Sequence, residues 1–479
     1  MSSTSALEVH DFLHEPSGNI PRETPAERVL TTHNASDRFR INEKSYQQQF
    51  SDMYFLRLMT LRPVVEAIAQ EAWEDFEVSG EKAHKVDRAL DVLPGDLCWI
   101  TGTIYMDMPL KPNILADITK DQFIIPPPPR EKYVDMGLDQ TMLEDESGRI
   151  RLTGTALQQH ELVTGIVVSV LGSETRNGEF NVVDLRIADL PAQKPIPKIK
   201  LADGRKRKVA LASGLGIGAS QHEGLETHLL AEYLLGEAGG MGDHEEAATI
   251  SRLVLCGNSL AEAHALIDDI EDSEAQKPKS KKYGYDAATY DRAPTKALDS
   301  ILSSLLPSIS VTLMPGEDDP ANVSVPQQPL HAALFPTAKL WDGSTFERVT
   351  NPWVGEIDGV SFLATSGQNL DDMYKYVEGN DRLAMSERLL RWRNIAPTAP
   401  DTLWSYPFQE GDPFVLDEDM CPHVFVIGNQ PKFETTVIEG NDGQKVRVIL
   451  VPRFDATGEI VVLDLDTLEP ERMCFKVEQ

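Results

Sequence analysis

The chain has 479 residues, 41% of them hydrophobic and 25% charged, the profile of a folded globular protein of two or three domains. Its 45 basic residues against 76 acidic ones leave a formal net charge of -31, which excludes a protein that grips nucleic acid with its surface as a whole, because phosphates demand Lys and Arg. No window is long and apolar enough for a membrane span. The N-terminus lacks the basic start and apolar run of a secretory signal.

Residues 1–44 are polar and without period, and they read as a disordered tail. Residues 45–90 read as an N-terminal helical element. Phe50, Tyr54, Leu58, Leu61, Val65, Ile68 and Ala72 recur at helical spacing. Pro63 interrupts that run and predicts two helices meeting near Arg62. Residues 91–195 read as short strands: GDLCWITGTIYMDM, RIRLTGTA, ELVTGIVVSVLGSE and EFNVVDLRIADL, the last two joined by the turn residues Asn177-Gly178. Four or five such strands suit a small OB-type barrel. Between Gly95 and Leu190 stand 8 Lys or Arg and 15 Asp or Glu, so the barrel is expected to be structural rather than a single-strand binder.

The most basic stretch, 194–208, reads as a solvated linker or a nuclear targeting signal. Residues 196–479 then alternate strand, small-residue loop and helix, the texture of a layered α/β domain with its sites at the carboxyl ends of the strands. Residues 270–297 read as a flexible insertion. KVRVILVPRF and GEIVVLDLD read as two closing strands. Cys98, Cys256, Cys421 and Cys474 form no CxxC pair, and buried thiols are expected.

The run Ser213–Ala219 meets the loose G-x-G-x-x-[GA] dinucleotide pattern. The next strand ends at Gly257-Asn258, however, without the acidic residue that a ribose requires. A tight turn that needs glycine is the better reading. The strand-end loops SGLGIGAS, LCGNSL, MPGEDDP, TSGQN and IGNQP carry more information. Loop by loop they resemble those of the calcineurin-like metallophosphoesterases, which set D-x-H, G-D, G-N-H-[DE], a lone His and G-H-x-H around two metals. On that resemblance the first-loop ligands fall on Gly214 and Gly216. The second-loop Asp falls on Asn258. Gly316-Glu317-Asp318-Asp319 stands in for Gly-Asn-His-Asp, and the last two histidines fall on Asn429 and Pro431. Glu317, Asp318 and Asp319 are expected as solvated loop carboxylates. A residual metal-dependent phosphodiesterase or exonuclease using these three is the alternative to an inactive domain.

An OB barrel followed by a phosphoesterase-like domain without its metal ligands is similar to the B-subunits of eukaryotic replicative DNA polymerases. LVTGIVVSVLGSE, VALASGLGIG, ISRLVLCGN, MPGEDDPANVSVPQQPLH, IAPTAPDTLWSYPF and CPHVFVIGNQPKFET resemble the small regulatory subunits of DNA polymerase delta, in order from Leu162 to Thr435. The resemblance implies a nuclear, non-catalytic scaffold with no cofactor. It implies binding to the cysteine-rich C-terminal module of the catalytic subunit and to a third accessory subunit. Through that third subunit it implies an indirect link to the sliding clamp. Sharing with polymerase zeta, and roles in repair and translesion synthesis, are implied as well. DNA is contacted at most indirectly.

Overall fold

The computed structural model describes residues 26–45, 47, 49–78, 80–112, 130–135, 137–197, 199, 204–218, 224–261, 292–418 and 420–476. Residues 26–44, expected as part of a disordered tail, are instead ordered against the body. Val29 and Phe39 are buried, and the short strand β1 (His33–Ala35) joins a sheet edge. Arg28 donates to the carbonyls of Leu234, Ala247 and Ile250. A few anchors hold this polar strap, and its average composition hid them. Residues 1–25 lie outside the described residues.

The helix α1 (Ser51–Trp73) runs unbroken through Pro63, against the expectation of two helices. Pro63 sits on the exposed side, and Met59, whose carbonyl loses its partner there, also faces water, which can replace that hydrogen bond. The buried face is Met53, Arg57, Leu58, Leu61, Val65, Ala69 and Trp73, so Phe50 and Ala72 of the predicted stripe point outward.

After a minor hairpin, β2 (Glu77–Val78) and β3 (Glu81–Lys82), come β4 (His84–Lys85), β5 (Cys98–Asp107), β6 (Gln140–Glu144), β7 (Arg149–Thr153), β8 (Val167–Glu174) and β9 (Glu179–Arg186). They pair in the order β4-β5-β6-β7-β9-β8, and β5 also pairs with β8, which closes the sheet into a barrel. Alternating Ile100, Ile104, Leu143, Ile150, Leu152, Val168 and Val170 fill it with Phe180. Closure brings backbones so near that a Cβ on Gly172 would lie 2.1 Å from the Asn181 carbonyl oxygen. The C-terminal half of α1 packs outside the barrel, with Ala69 and Trp73 on Leu97, Trp99 and Leu171.

The remainder is a mixed α/β body. Its elements are β10 (Lys208–Ala212), α2 (Leu225–Leu235), α3 (Met241–Thr249), β11 (Ile250–Cys256), α4 (Ala293–Leu305), β12 (Ser310–Met314), β13 (Phe346–Arg348), β14 (Trp353–Ile357) and β15 (Val360–Thr365). There follow α5 (Gln368–Tyr376), α6 (Arg382–Arg391), β16 (Val424–Gln430), β17 (Glu434–Glu439), β18 (Lys445–Pro452), β19 (Glu459–Asp464) and β20 (Pro470–Cys474). One sheet has the order β13-β12-β11-β10-β19-β20, the other β1-β14-β15-β16-β18-β17. The two share an apolar layer containing Val209, Leu211, Val254, Trp353, Phe362, Val426 and Ile449. Leu230, Leu298 and Leu302 of α2 and α4 cover the outer face of the first sheet. Leu370, Met373 and Leu389 of α5 and α6 pack with the barrel and with Phe425 and Leu450 of the second sheet. Strands buried on both faces explain why these runs read as continuously apolar.

Three expectations need correction here. The basic stretch 194–208 is not wholly solvated: Arg207 is 2% exposed, paired with Asp358 and Asp466, and Lys208 already belongs to β10. The expected insertion 270–297 ends early, because Pro294 opens α4 and residues 293–297 are helical; residues 262–291 lie outside the description. Cys474 is exposed on the edge strand β20, whereas Cys98, Cys256 and Cys421 are buried and their thiols are pushed up to about 12 by desolvation. Among the described residues no helix is long and apolar enough to cross a membrane.

Candidate functional site

The carboxyl ends of β10, β11, β12, β15, β16 and β18 converge, since β10–β12 are parallel in one sheet and β15, β16 and β18 in the other. The loops that follow are stitched by backbone. Gly214 N–H donates to Gly257 O at 2.9 Å and Gly216 N–H to Asn258 O at 3.2 Å. The turn after β18 crosses over them: Phe454 N–H donates to Ser213 O at 2.8 Å and Asp455 N–H to Gly214 O at 2.9 Å. Ser213 Oγ donates to Pro452 O at 3.0 Å and accepts from Asn429 N–H at 2.9 Å.

This crossing decides what can stand at the positions of interest. Gly214 and Gly216 have φ of 61° and 57°, in the left-handed region that side chains avoid. A Cβ on Gly214 would lie 2.8 Å from Asn429 Oδ1 and 3.1 Å from Arg453 Cα. One on Gly216 would lie 2.6 Å from Asp455 Oδ2. Neither residue offers a ligand atom, and a side chain at either position would force Asn429, Arg453 or Asp455 to shift.

The acidic loop after β12 splits three ways. Asp319, expected to be solvated, is buried: its Oδ2 accepts from Gly316 N–H at 2.8 Å and Ser259 N–H at 3.3 Å, and its Oδ1 from Leu260 N–H at 2.9 Å. Burial pushes its carboxyl up to about 6, while the same amides pull it back. The carboxylate thus satisfies buried amides of two loops. Asp318 is half-buried and faces Arg453 at 3.3 Å. Glu317 is exposed. Buried Asn258 accepts from Asp318 N–H at 3.1 Å through its Oδ1. Asn429 donates through Nδ2 to Ser366 O at 2.8 Å. Pro431 is exposed beyond the strand end and does not join the others.

Sequence reasoning missed Arg453, Asp455 and a buried amide network. Asn351 Nδ2 lies 2.8 Å from Gln327 Oε1, 2.7 Å from Ser366 Oγ and 2.7 Å from Gln368 Oε1. A charged residue directly after the apolar strand end at Pro452, and Gln327 and Asn351 beside prolines, were the available signals. Two-metal phosphoryl transfer needs carboxylate, amide and imidazole ligands closing on one point. Among the described residues no three His, Cys, Asp or Glu side chains do so, and the glycines, spent carboxylate and arginine present here do not fit such metals. Cys256 ends β11 fully buried with its thiol raised, a packing residue rather than a nucleophile.

Two family models match the two bodies. The DNA polymerase alpha/epsilon B-subunit family matches residues 209–435, and the DNA polymerase delta subunit OB-fold domain matches residues 49–185. The class so defined is the accessory B-subunit of a replicative DNA polymerase, with an OB-fold domain joined to a mixed α/β body. The chain is 39% identical over 465 residues to the DNA polymerase delta small subunit of Arabidopsis thaliana, covering 96% of this chain and 99% of that one. It is 36% identical over 473 residues to the small subunit of Saccharomyces cerevisiae, covering 92% of each. With DNA polymerase delta subunit 2 of Drosophila melanogaster it shares 37% over 447 residues, 93% of this chain and 97% of that one. The chain belongs to the DNA polymerase delta small-subunit family.

Proposed function

We propose that the chain is a non-catalytic scaffold of the nuclear polymerase delta complex, and that its α/β layers are a metallophosphoesterase-like domain that has lost its chemistry. In this reading residues 45–90 and 91–195 form the helical element and OB-fold domain, and 196–479 the inactive domain. The chain bridges the cysteine-rich C-terminal module of the catalytic subunit and a third accessory subunit. That third subunit links it to the sliding clamp, and a second catalytic chain, that of polymerase zeta, draws on the same scaffold. DNA is reached through partners, as the net charge of -31 favours basic protein surfaces over phosphates.

The observation that carries the reading is the strand-end cluster. Two glycines at positive φ occupy the positions where the phosphoesterase resemblance would put metal ligands, and the turn 452–455 crowds the space beside them. The same geometry speaks against hydrolysis through Glu317, Asp318 and Asp319, because Asp319 is already engaged by three backbone amides and Asp318 by Arg453. The test is co-purification with the catalytic chain, with and without its cysteine-rich end. Retention only when that end is present is the expected result; equal retention without it refutes the bridge. The purified chain, given manganese and a labelled single strand, should show no turnover. Turnover that disappears in E317A/D318A/D319A would restore the enzyme reading.

A further inference from the structure

The implied metals fail to fit for a reason more specific than missing ligands, because the chain carries a cation of its own at this place. Arg453 Nη2 and Nε donate to the two carboxylate oxygens of Asp455 at 2.8 and 3.1 Å, and Nη1 donates to Asp318 Oδ2 at 3.3 Å. The guanidinium therefore forks onto one carboxylate and reaches a second, a geometry that lysine cannot copy in full. Asp318 belongs to the loop after β12 in one sheet, and Arg453 to the turn after β18 in the other. The contact ties the strand ends of both sheets together.

Volume points the same way. The Cβ that Gly214 lacks would stand 3.0 Å from Arg453 Cγ, and the one that Gly216 lacks 2.6 Å from Asp455 Oδ2. These are the two positions at which the phosphoesterase pattern requires Asp and His. The arginine arm and its carboxylate partner run through the space those ligands would use.

Resting on the phosphoesterase-derived reading above, we propose that Arg453 is the resident cation of the strand-end loops and excludes divalent metal by charge as well as by space. It pairs with both Asp318 and Asp455, offsetting part of their charge as a bridging metal would, and it joins the loops without any capacity to activate water. Removing the charge leaves Asp318 and Asp455 without the partner they share, beside Gly214, where Asn429 Oδ1 also stands without a hydrogen-bond partner. An oxygen set of this kind suits a hard or borderline divalent ion.

Thermal unfolding of the full chain, R453M, R453K and R453M/D318N/D455N, each with and without millimolar manganese, tests this. Wild type and R453K should melt at temperatures that manganese does not move. R453M should melt lower and recover saturably, by several degrees, as manganese is added. The triple variant should melt above R453M and ignore the metal. A flat response of R453M, or a saturable rise in wild type, overturns the proposal. Should R453M fail to fold, the triple variant decides: removing both carboxylates must restore a folded protein, and its failure to do so refutes neutralisation as the role of Arg453. Manganese-dependent hydrolysis by wild type would sink the parent reading. A flat R453M beside an inactive wild type sinks only this one.

Discussion

Replacing Arg57 by methionine should loosen the junction between helix, barrel and α/β body more than any substitution of similar size on the surface. Arg57 is 0% exposed, as is the side chain of its partner Asp412. It donates to Asp412 Oδ2 at 2.8 Å, Gly165 O at 3.1 Å, Pro397 O at 2.8 Å and Ala399 O at 2.9 Å. One side chain of α1 therefore satisfies acceptors from the barrel and from two loops of the α/β body. R57M keeps the apolar stem and removes every donor. Asp412 retains a single amide donor to its carboxylate, Phe414 N–H at 2.9 Å, and its charge is otherwise stranded. Breaking a buried pair from one side costs about 3–5 kcal/mol, most of it the uncompensated charge.

The assay is urea unfolding of R57M, D412N and R57M/D412N, followed by circular dichroism and compared at their midpoints. R57M should lose about 4 kcal/mol. The double variant should be more stable than the sum of the single losses predicts, by about 1 kcal/mol or more, because the stranded charge is gone. An R57M midpoint within about 0.5 kcal/mol of wild type, or strict additivity, would refute the idea that a buried charge governs the junction. Gly165 offers an internal check: its φ is 92°, and a Cβ would lie 2.0 Å from the Pro397 carbonyl oxygen, so G165A should weaken the same junction with Arg57 intact.

Three other perturbations have defined outcomes. D319A orphans the amides of Ser259, Leu260 and Gly316 and should cost about 3 kcal/mol or more in a denaturant melt, with D319N losing less because one acceptor survives. His423 is buried, accepts at Nδ1 from Ser361 N–H at 2.9 Å and donates at Nε2 to Lys194 O at 2.6 Å, and burial lowers its pKa from the ordinary 6.5. The unfolded chain takes up the proton that the native state refuses. Its contribution is therefore complete above pH 6.5 and is lost below it, by at most about 1.4 kcal/mol per pH unit. The difference in midpoint between wild type and H423Q should shrink from about pH 7 to about pH 5.5, and a constant difference would count against it. Deleting residues 1–44 removes Arg28 with its three carbonyl partners, the strand β1 and buried Phe39, and should lower the melting temperature by many degrees.

Local pattern and composition made much of the molecule legible in the sequence. Runs such as Ile250–Cys256 and Lys445–Pro452 are largely apolar because both faces are covered, and the glycines at 214 and 216 stood out because a turn there needs positive φ. That Gly214, Gly216 and Pro431 carry no side-chain ligand atom needs no coordinates at all. The net charge of -31 likewise argued against a general grip on DNA before any fold was known. Tertiary structure decided everything that depends on who stands beside whom. Pro63 is tolerated inside α1 only because its side of the helix is wet. A polar strap is fixed by one arginine that finds three distant carbonyls. Asp319 becomes a structural acceptor, and Arg453 a resident cation, only when the fold brings loops far apart in the chain within hydrogen-bonding distance. Burial and pairing are properties of neighbourhoods, and a chain read one residue at a time contains the members of a neighbourhood without their arrangement.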